Sequence, residues 1–272
     1  MCDVCVMNAV KDRMLSRRDF FRASAAVGAA ATIGGIVAAP PALAQGHSRI
    51  VDMTHKLSPR FPTFFGEPGI SMEQQFFFDK DGFNLYDLTI NEHTATHIDA
   101  PLHFSADGAS VDEIEVANLV VPLCVIHIHE RAASDPDAQV TPDDIKAWID
   151  ANGPIPDKAC VAMHSGWEKK VETDSYVGRD DKGMHFPGFH IEATTMLLEE
   201  TTASSIAVDT LSLDFGQSAD FATHYAWLPS GRYGIENIKN LAEVPEAGAT
   251  LVVGAPNHAG GTGGPARIFA MA

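Results

Sequence analysis

The sequence predicts one mixed α/β or α+β domain that follows a removable export signal. Short apolar runs rich in β-branched residues recur along the chain, which is the pattern of buried strands. A few segments have helical periodicity, and they do not alternate strictly with the strand-like runs. The composition, with 45% hydrophobic and 20% charged residues, is typical of a folded chain of 272 residues.

Residues 1–44 have the features of a twin-arginine signal peptide. SRRDFF at residues 16–21 matches the export motif, an Ala/Gly-rich apolar stretch follows, and Ala42-Leu43-Ala44 forms a cleavage site. A membrane anchor is the alternative, but the apolar stretch is short for a span and ends at the cleavage motif. We therefore expect a periplasmic or secreted protein, with the export machinery as a partner and residues 45–272 as the functional domain.

Six segments are predicted strands: 49–57, 85–90, 120–130, 158–167, 204–214 and 248–256. Three segments are predicted helices: 141–153, 190–201 and 234–244. The first of these helices has the clearest boundaries. Thr141 stands at its N-cap, acidic residues follow in the first turn, and Gly153 comes after its end.

The charge and the cysteines limit the partners and the covalent structure. The formal net charge is −17 and no basic run offsets it, which argues against nucleic acid and anionic membranes as partners. We expect a small-molecule substrate and no membrane contact after cleavage of the signal. Cys124 and Cys160 lie in two apolar runs that suit neighbouring strands, so two buried thiols and one disulfide both remain open.

The segment NEHTATHIDAPLHF, residues 91–104, concentrates metal-binding side chains: His93, His97, Asp99 and His103 fall within eleven positions. On a continuous strand all four would face one side. Bringing the first two histidines to one ion requires a bend at residues 94–96. Imidazole and carboxylate together suit zinc, manganese or iron(II), and a carboxylate can also bridge two ions.

HTATHIDAPLHF resembles the H-x-G-T-H-x-D-x-P-x-H-F signature of the metal-dependent cyclase family, which includes bacterial kynurenine formamidase and isatin hydrolase. Further similar segments lie at 185–193, 208–214, 224–241 and 260–270, so the resemblance covers nearly all of the exported chain. The resemblance implies a single swivelling β/β/α domain, a homodimer or homotetramer, and one or two divalent ions, zinc or manganese.

The resemblance also assigns roles to individual residues. It makes His103 the general acid/base, and it makes five residues metal ligands: His93, His97, Asp99, His224 and Glu236. Glu236 favours the two-metal arrangement of the formamidases, in which the aspartate bridges the ions, because isatin hydrolase has Gln at that position. Ala95 departs from the signature Gly, and it is strained if the bend requires positive φ.

Several other residues remain ambiguous. Phe64 is either a substrate contact or a core aromatic. His127 and His129 would share a strand face, where we expect packing or hydrogen bonding rather than metal binding, because no carboxylate is evident beside them. Asp209 and Asp214 are either hydrogen-bond partners of the metal histidines or acids at strand ends.

These observations favour an exported metal-dependent hydrolase of a small amide, either an arylformamide or a cyclic amide such as isatin. A metal-activated water would attack the carbonyl carbon, and His103 would move the proton. A lactonase or cyclase with the same site is the first alternative. The second is an exported metal- or ligand-binding protein without turnover, against which His103 argues because binding does not require it.

Overall fold

The computed structural model describes residues 49–272, so the expected signal peptide lies outside the described residues. The chain divides into two compact units. The described part of the larger unit comprises residues 49–72 and Leu88–Ala272, and the described part of the other is Glu73–Asp87. Within residues 49–272, no helix combines the length and the apolar character needed to cross a bilayer.

The described chain is rich in short strands. Its strands are β1 Ile50–Asp52, β2 Ile70–Phe76, β3 Leu85–Ile90, β4 His97–Asp99, β5 Val120–His127, β6 Gln139–Val140, β7 Cys160–His164, β8 Gly188–Phe189, β9 Ser205–Val208, β10 Tyr233–Glu236, β11 Ala249–Gly254, β12 Gly263–Pro265 and β13 Arg267–Met271. Its α-helices are α1 Phe78–Asp81, α2 His129–Ser134, α3 Pro142–Asn152, α4 Ile191–Glu200 and α5 Ala222–Trp227. The 3₁₀ helices are Pro101–Phe104, Val111–Glu113, Val116–Asn118, Trp167–Lys170, Asp174–Tyr176, Leu228–Ser230 and Leu241–Glu243.

Nine strands of the larger unit form one curled mixed sheet in the order β1-β13-β11-β5-β7-β9-β10-β4-β12. β5, β7, β9 and β10 run parallel, and the flanking strands pair antiparallel. Buried residues alternate along β5 between two apolar clusters, with Val125 in one and Ile126 in the other. The sheet is therefore covered on both faces, as expected for a mixed α/β domain.

Each of the six predicted strand segments contains a strand, and two of the three predicted helices are confirmed. α3 begins where its capping residues indicate, because the Thr141 side chain accepts a hydrogen bond from the Asp144 backbone N–H. Gly153 follows the last helical residue with φ of 89°. This left-handed backbone ends the helix at low cost only for glycine.

The predicted helix at 234–244 is wrong. Its first residues form β10, which is buried along its whole length. Ile235, Ile238 and Leu241 have helical spacing. Ile235 nevertheless lies on the strand and the other two lie after its end, and all three pack in one apolar cluster. Asn237 and Asn240 have φ of 55° and 60°, and two left-handed residues so close together exclude a continuous α-helix.

The two cysteines of the described chain are free and buried. β5 and β7 are neighbours, but Cys124 pairs with Val161 while Cys160 pairs with Leu123. The thiols are one position out of register, so they point to opposite faces of the sheet and pack in different apolar clusters. This alternation explains why they do not form the disulfide that the sequence left open.

Candidate active site

β4 places two metal-binding candidates in the interior of the larger unit. It lies between β10 and β12, and His97 and Asp99 are almost completely buried. Gly234 of β10 and Gly263 of β12 both stand opposite Asp99. A Cβ at Gly234 would lie only 3.2 Å from Oδ2 of Asp99. Gly234 therefore leaves room beside the carboxylate, whereas a Cβ at Gly263 would lie 2.9 Å from Cε1 of His93.

The bend expected at residues 94–96 is present, and it depends on a left-handed residue. Ala95 has φ of 54°, the conformation for which the family signature uses glycine. β4 is only three residues long, so the four candidate side chains do not lie on one continuous strand. His93 precedes the bend, and His103 lies on the 3₁₀ helix that starts at Pro101.

Four buried side chains from distant parts of the chain converge beside β4. Nε2 of His97 is 3.2 Å from Oδ1 of Asp99 and 3.4 Å from Oε2 of Glu236. Nε2 of His224, on α5, is 3.2 Å from Oε1 of Glu236 and 3.8 Å from Oδ2 of Asp99. The predicted ligands from the signature segment and from residues 224–236 thus form one cluster.

Asp214 orients His224. Its Oδ2 lies 2.6 Å from Nδ1 of the imidazole, so Nε2 is left to face the two carboxylates. This arrangement agrees with one of the two readings of Asp214. Asp209 instead accepts hydrogen bonds from the backbone and hydroxyl of Ser165 and from the Trp167 backbone, and it stabilises the loop after β7.

His93 is held from both ring nitrogens. Nδ1 is 2.7 Å from Oδ1 of Asp99, and Nε2 is 2.9 Å from the Thr262 hydroxyl. That hydroxyl donates to the Glu92 carboxylate at 2.6 Å, so it must accept from Nε2. The Nδ1 lone pair then faces a carboxylate oxygen, an arrangement that is favourable only if a cation or proton lies between them. Thr262 and Glu92 were not predicted, because no chemical motif in the sequence marks either residue.

His103 stacks on His93, with ring centroids 3.7 Å apart and an interplanar angle of 21°. Burial lowers the pKa of His103 to about 4, although the charge of Asp99 partly opposes the shift. Its imidazole is therefore neutral at pH 7. The near-neutral pKa expected for an acid/base histidine is not found in the metal-free protein, because the ring is largely removed from water.

The histidines open into a cavity of about 290 Å³ with aromatic walls. Phe64 lines this cavity and also packs against a small apolar cluster, a position that leaves both readings open. Phe104 packs on the ring of His224, with centroids 4.6 Å apart. Phe104 and Phe221 also line the cavity, and neither was predicted to do so; Phe221 comes from a distant segment.

The carboxylates of the site raise the pKa values of two of its histidines. Burial lowers the pKa of His97, but the charges of Asp99 and Glu236 outweigh it and raise the pKa to about 9. Burial acts likewise on His224, and hydrogen bonds to Asp214 and Glu236 raise its pKa to about 10. Two imidazolium groups thus stand where a divalent cation would neutralise the same carboxylates.

The donor set fits such an ion. Within residues 49–272, Nε2 of His97 and Oδ2 of Asp99 are buried without a hydrogen-bond partner. Buried polar atoms are normally paired, so two unpaired polar atoms on residues of one cluster indicate a ligand site. Imidazole nitrogens with carboxylate oxygens are donors for zinc or manganese.

The remaining histidine pair differs from expectation. His127 ends β5, but His129 starts α2, so the two do not share a strand face. Nδ1 of His127 lies 2.7 Å from Nδ1 of His164, so the two rings are in hydrogen-bonding contact.

Family models and known proteins match this chain. A family model described as putative cyclase matches residues 51–215, and a model of the twin-arginine signal matches residues 14–34. The chain is 29% identical to isatin hydrolase of Roseibium aggregatum over 84% of this chain and 94% of that protein. It is 26% identical to kynurenine formamidase of Salinibacter ruber over 70% of this chain and 80% of that protein.

The fold is shared as well. Isatin hydrolase A from Labrenzia aggregata, solved with benzyl benzoate, matches with a TM-score of 0.77 and 34% identity over 82% of this chain and 93% of that chain. The signal match shows that the protein is exported, to the periplasm or beyond. Because the family model spans more than half of the sequence, the chain belongs to the cyclase family of metal-dependent hydrolases.

Proposed function

We propose that this exported protein is a metal-dependent amide hydrolase that opens a small aromatic cyclic amide. The observation that carries the proposal is the buried cluster of His97, Asp99, His224 and Glu236 beside an aromatic cavity that also contains the neutral imidazole of His103. A cavity with apolar walls and a few convergent polar groups is the usual form of a small-molecule site.

Five side chains would hold the metal, zinc or manganese: His93, His97, Asp99, His224 and Glu236. Ligand atoms of His97, Asp99 and Glu236 lie within 4.8 Å of one another, and so do those of His93, Asp99 and His103. Asp99 belongs to both groups, so its carboxylate would contribute to both ions if two are bound. When bound, a divalent ion supplies a Lewis acid for the carbonyl and lowers the pKa of a water molecule.

The protein's own groups orient the reactants and move the proton. Phe64, Phe104 and Phe221 would enclose the aromatic ring of the substrate and exclude bulk water. The neutral imidazole of His103 would accept a proton from the attacking water. The resulting imidazolium would then protonate the leaving nitrogen as the C–N bond breaks.

The relatives favour a cyclic amide over a formamide. Two isatin hydrolases are 29% and 34% identical to this chain, and the matches cover 94% and 93% of those proteins. The formamidase match is 26% identical and covers 70% of this chain. Isatin itself is therefore the first substrate to test. Glu236 supports the second candidate, an arylformamide, because the formamidases resembled by this sequence carry Glu there.

We also propose a homodimer or homotetramer, as the family resemblance implies. The smaller unit, described over Glu73–Asp87, exposes Phe77, Phe78 and Tyr86 to solvent. Exposed aromatic side chains grouped on so short a segment are typical of a surface that another chain covers. Light scattering on the purified protein measures the assembly.

The function is tested with mature protein folded in the cytoplasm and loaded with zinc or manganese. It is assayed against isatin, N-formylkynurenine and an aromatic lactone, with chelator-treated protein and His97→Ala as controls. We expect hydrolysis of isatin that both controls lose. Preferential hydrolysis of the formamide or the lactone would show that this compound class, and not the cyclic amide, is the substrate. Metal binding without turnover of any of the three would indicate a binding protein.

A further inference from the structure

Three histidines outside the active site converge at the carboxyl ends of two neighbouring parallel strands. His127 ends β5, His164 ends β7, and the two are paired in register. His129 starts α2 two residues after β5. The ring centroids of His164 lie 4.9 Å from those of both His127 and His129. One ring nitrogen of each histidine lies within 4.8 Å of one nitrogen from each of the others.

The backbone holds this arrangement firmly. The Ile128 N–H donates to the carbonyl of His164 at 3.0 Å, which extends the pairing of the two strands beyond their last residues. Gly166, with φ of 71°, passes beside His129, and a Cβ added there would lie 3.6 Å from the His129 Cβ. Two of the three imidazoles are therefore positioned by the sheet, and the third by the start of a helix.

The three rings are not satisfied by one another. His164 is almost completely buried, and within residues 49–272 its Nε2 has no hydrogen-bond partner. Nδ1 of His164 faces Nδ1 of His127 at 2.7 Å, so only one of these nitrogens can carry the shared proton. Neither that proton nor a metal ion on Nδ1 pairs Nε2 of His164, so the metal site rests on the convergence of the three rings.

We propose that His127, His129 and His164 bind one divalent transition-metal ion, such as Zn²⁺, at a site that shares no ligand with the active site. Three imidazoles with a fourth position open to water form a known zinc geometry. Zn–N distances of about 2.0–2.1 Å require nitrogens roughly 3.3 Å apart, so the Nδ1 pair must separate by a few tenths of an ångström. The half-exposed ring of His127 can make this adjustment.

Glu246 supplies the carboxylate that was not evident in the sequence. Its Oε1 is 3.7 Å from Nε2 of His127, on the opposite side of the ring from His164. The Glu246 backbone carbonyl accepts from the Val125 N–H at 2.9 Å, which fixes the residue beside β5. A carboxylate that holds the outer nitrogen of a metal-bound histidine orients the ring and raises its basicity.

The experiment measures zinc uptake of the full mature protein by equilibrium dialysis and elemental analysis. We expect His129→Ala and His164→Ala each to bind one zinc ion fewer than the unchanged protein. His97→Ala should lose active-site metal and keep this ion. Glu246→Gln should weaken zinc binding at this site roughly 10- to 100-fold. His190→Asn is the matched control, since His190 is a half-exposed N-cap residue that Asn can replace.

His129 is exposed, so His129→Ala tests the site without disturbing the core. Circular dichroism checks that His164→Ala is folded, and if it is not, His129→Ala decides alone. Cu²⁺ bound in place of zinc should show coordination by three imidazole nitrogens in electron paramagnetic resonance, lost in His129→Ala. Unchanged zinc stoichiometry and affinity in His129→Ala, or an equal loss in His190→Asn, would overturn the proposal.

Discussion

The carbonyl oxygen of Ala95 accepts a hydrogen bond of 2.8 Å from Nδ1 of His97, and Ala95 presents it from a left-handed backbone conformation. This hydrogen bond leaves Nε2 of His97 pointing at Asp99 and Glu236. The orientation of a predicted metal ligand therefore depends on a conformation that costs an L-residue about 1–2 kcal/mol.

Ala95→Gly should consequently be close to neutral for stability, although Ala95 is buried. The relief of backbone strain offsets the lost methyl contact and the added chain entropy, each about 1 kcal/mol or less. Ala100→Gly is the matched control, because Ala100 is equally buried but has φ of −74°. Urea unfolding of the metal-free proteins should show Ala95→Gly at least about 1 kcal/mol less destabilising than the control. Equal losses in the two variants would mean that Ala95 is not strained.

Thr262→Val should weaken metal binding roughly 10- to 100-fold, the usual effect of removing an outer partner of a metal-ligating histidine. The hydroxyl fixes the tautomer of His93 by accepting from Nε2 while it donates to Glu92. Thr262→Ser keeps the hydroxyl and should retain the affinity. Competition with a metal chelator measures both variants, and equal affinities of Val and Ser variants would contradict the assigned tautomer.

His103→Ala should keep the metal and the fold but lose turnover. General acid/base catalysis typically contributes about 10²- to 10⁴-fold, so kcat should fall within that range. KM should change less, because the proton moves in the transition state. Metal content and steady-state kinetics are measured on the same preparation. Loss of metal together with activity would make His103 a ligand, as its closeness to His93 and Asp99 allows.

Asp99→Ala should lose more metal than any single histidine substitution if its carboxylate bridges two ions. His97→Ala should lose at least one ion, since the remaining ligands no longer fill the coordination geometry. Elemental analysis gives the stoichiometry once the separate histidine site is emptied by His129→Ala. A stoichiometry near one metal ion per chain, together with retained metal binding in Glu236→Gln, would favour a single-metal site.

Metal affinity of the active site should rise with pH. Its metal-free form holds protons on His97 and His224, with pKa values raised to about 9 and about 10. An ion must displace both protons below these values, so the logarithm of the apparent affinity should increase by up to about two per pH unit between pH 6 and 8. Titration calorimetry in buffers of different ionisation enthalpy counts the protons released. Metal binding without proton release would show that both histidines are already neutral.

Local features of the sequence were sufficient for much of the fold. Thr141 and Gly153 marked the ends of a helix, and alternating or continuous apolar runs marked the strands, because capping and periodicity depend on residues a few positions apart. The density of histidines around Asp99 indicated a metal, and the family resemblance extended the cluster to His224 and Glu236.

The tertiary structure decided what depends on residues far apart in the chain. Ile235, Ile238 and Leu241 have the spacing of a helix, yet pairing with β9 makes the first part a strand. Burial, which no local pattern reveals, lowers the pKa of His103. Thr262 reaches His93, and His164 meets His127, only because the sheet order brings their strands or loops together. Sequence spacing fixes local geometry, whereas the surroundings of a side chain are fixed by the packing of the whole domain.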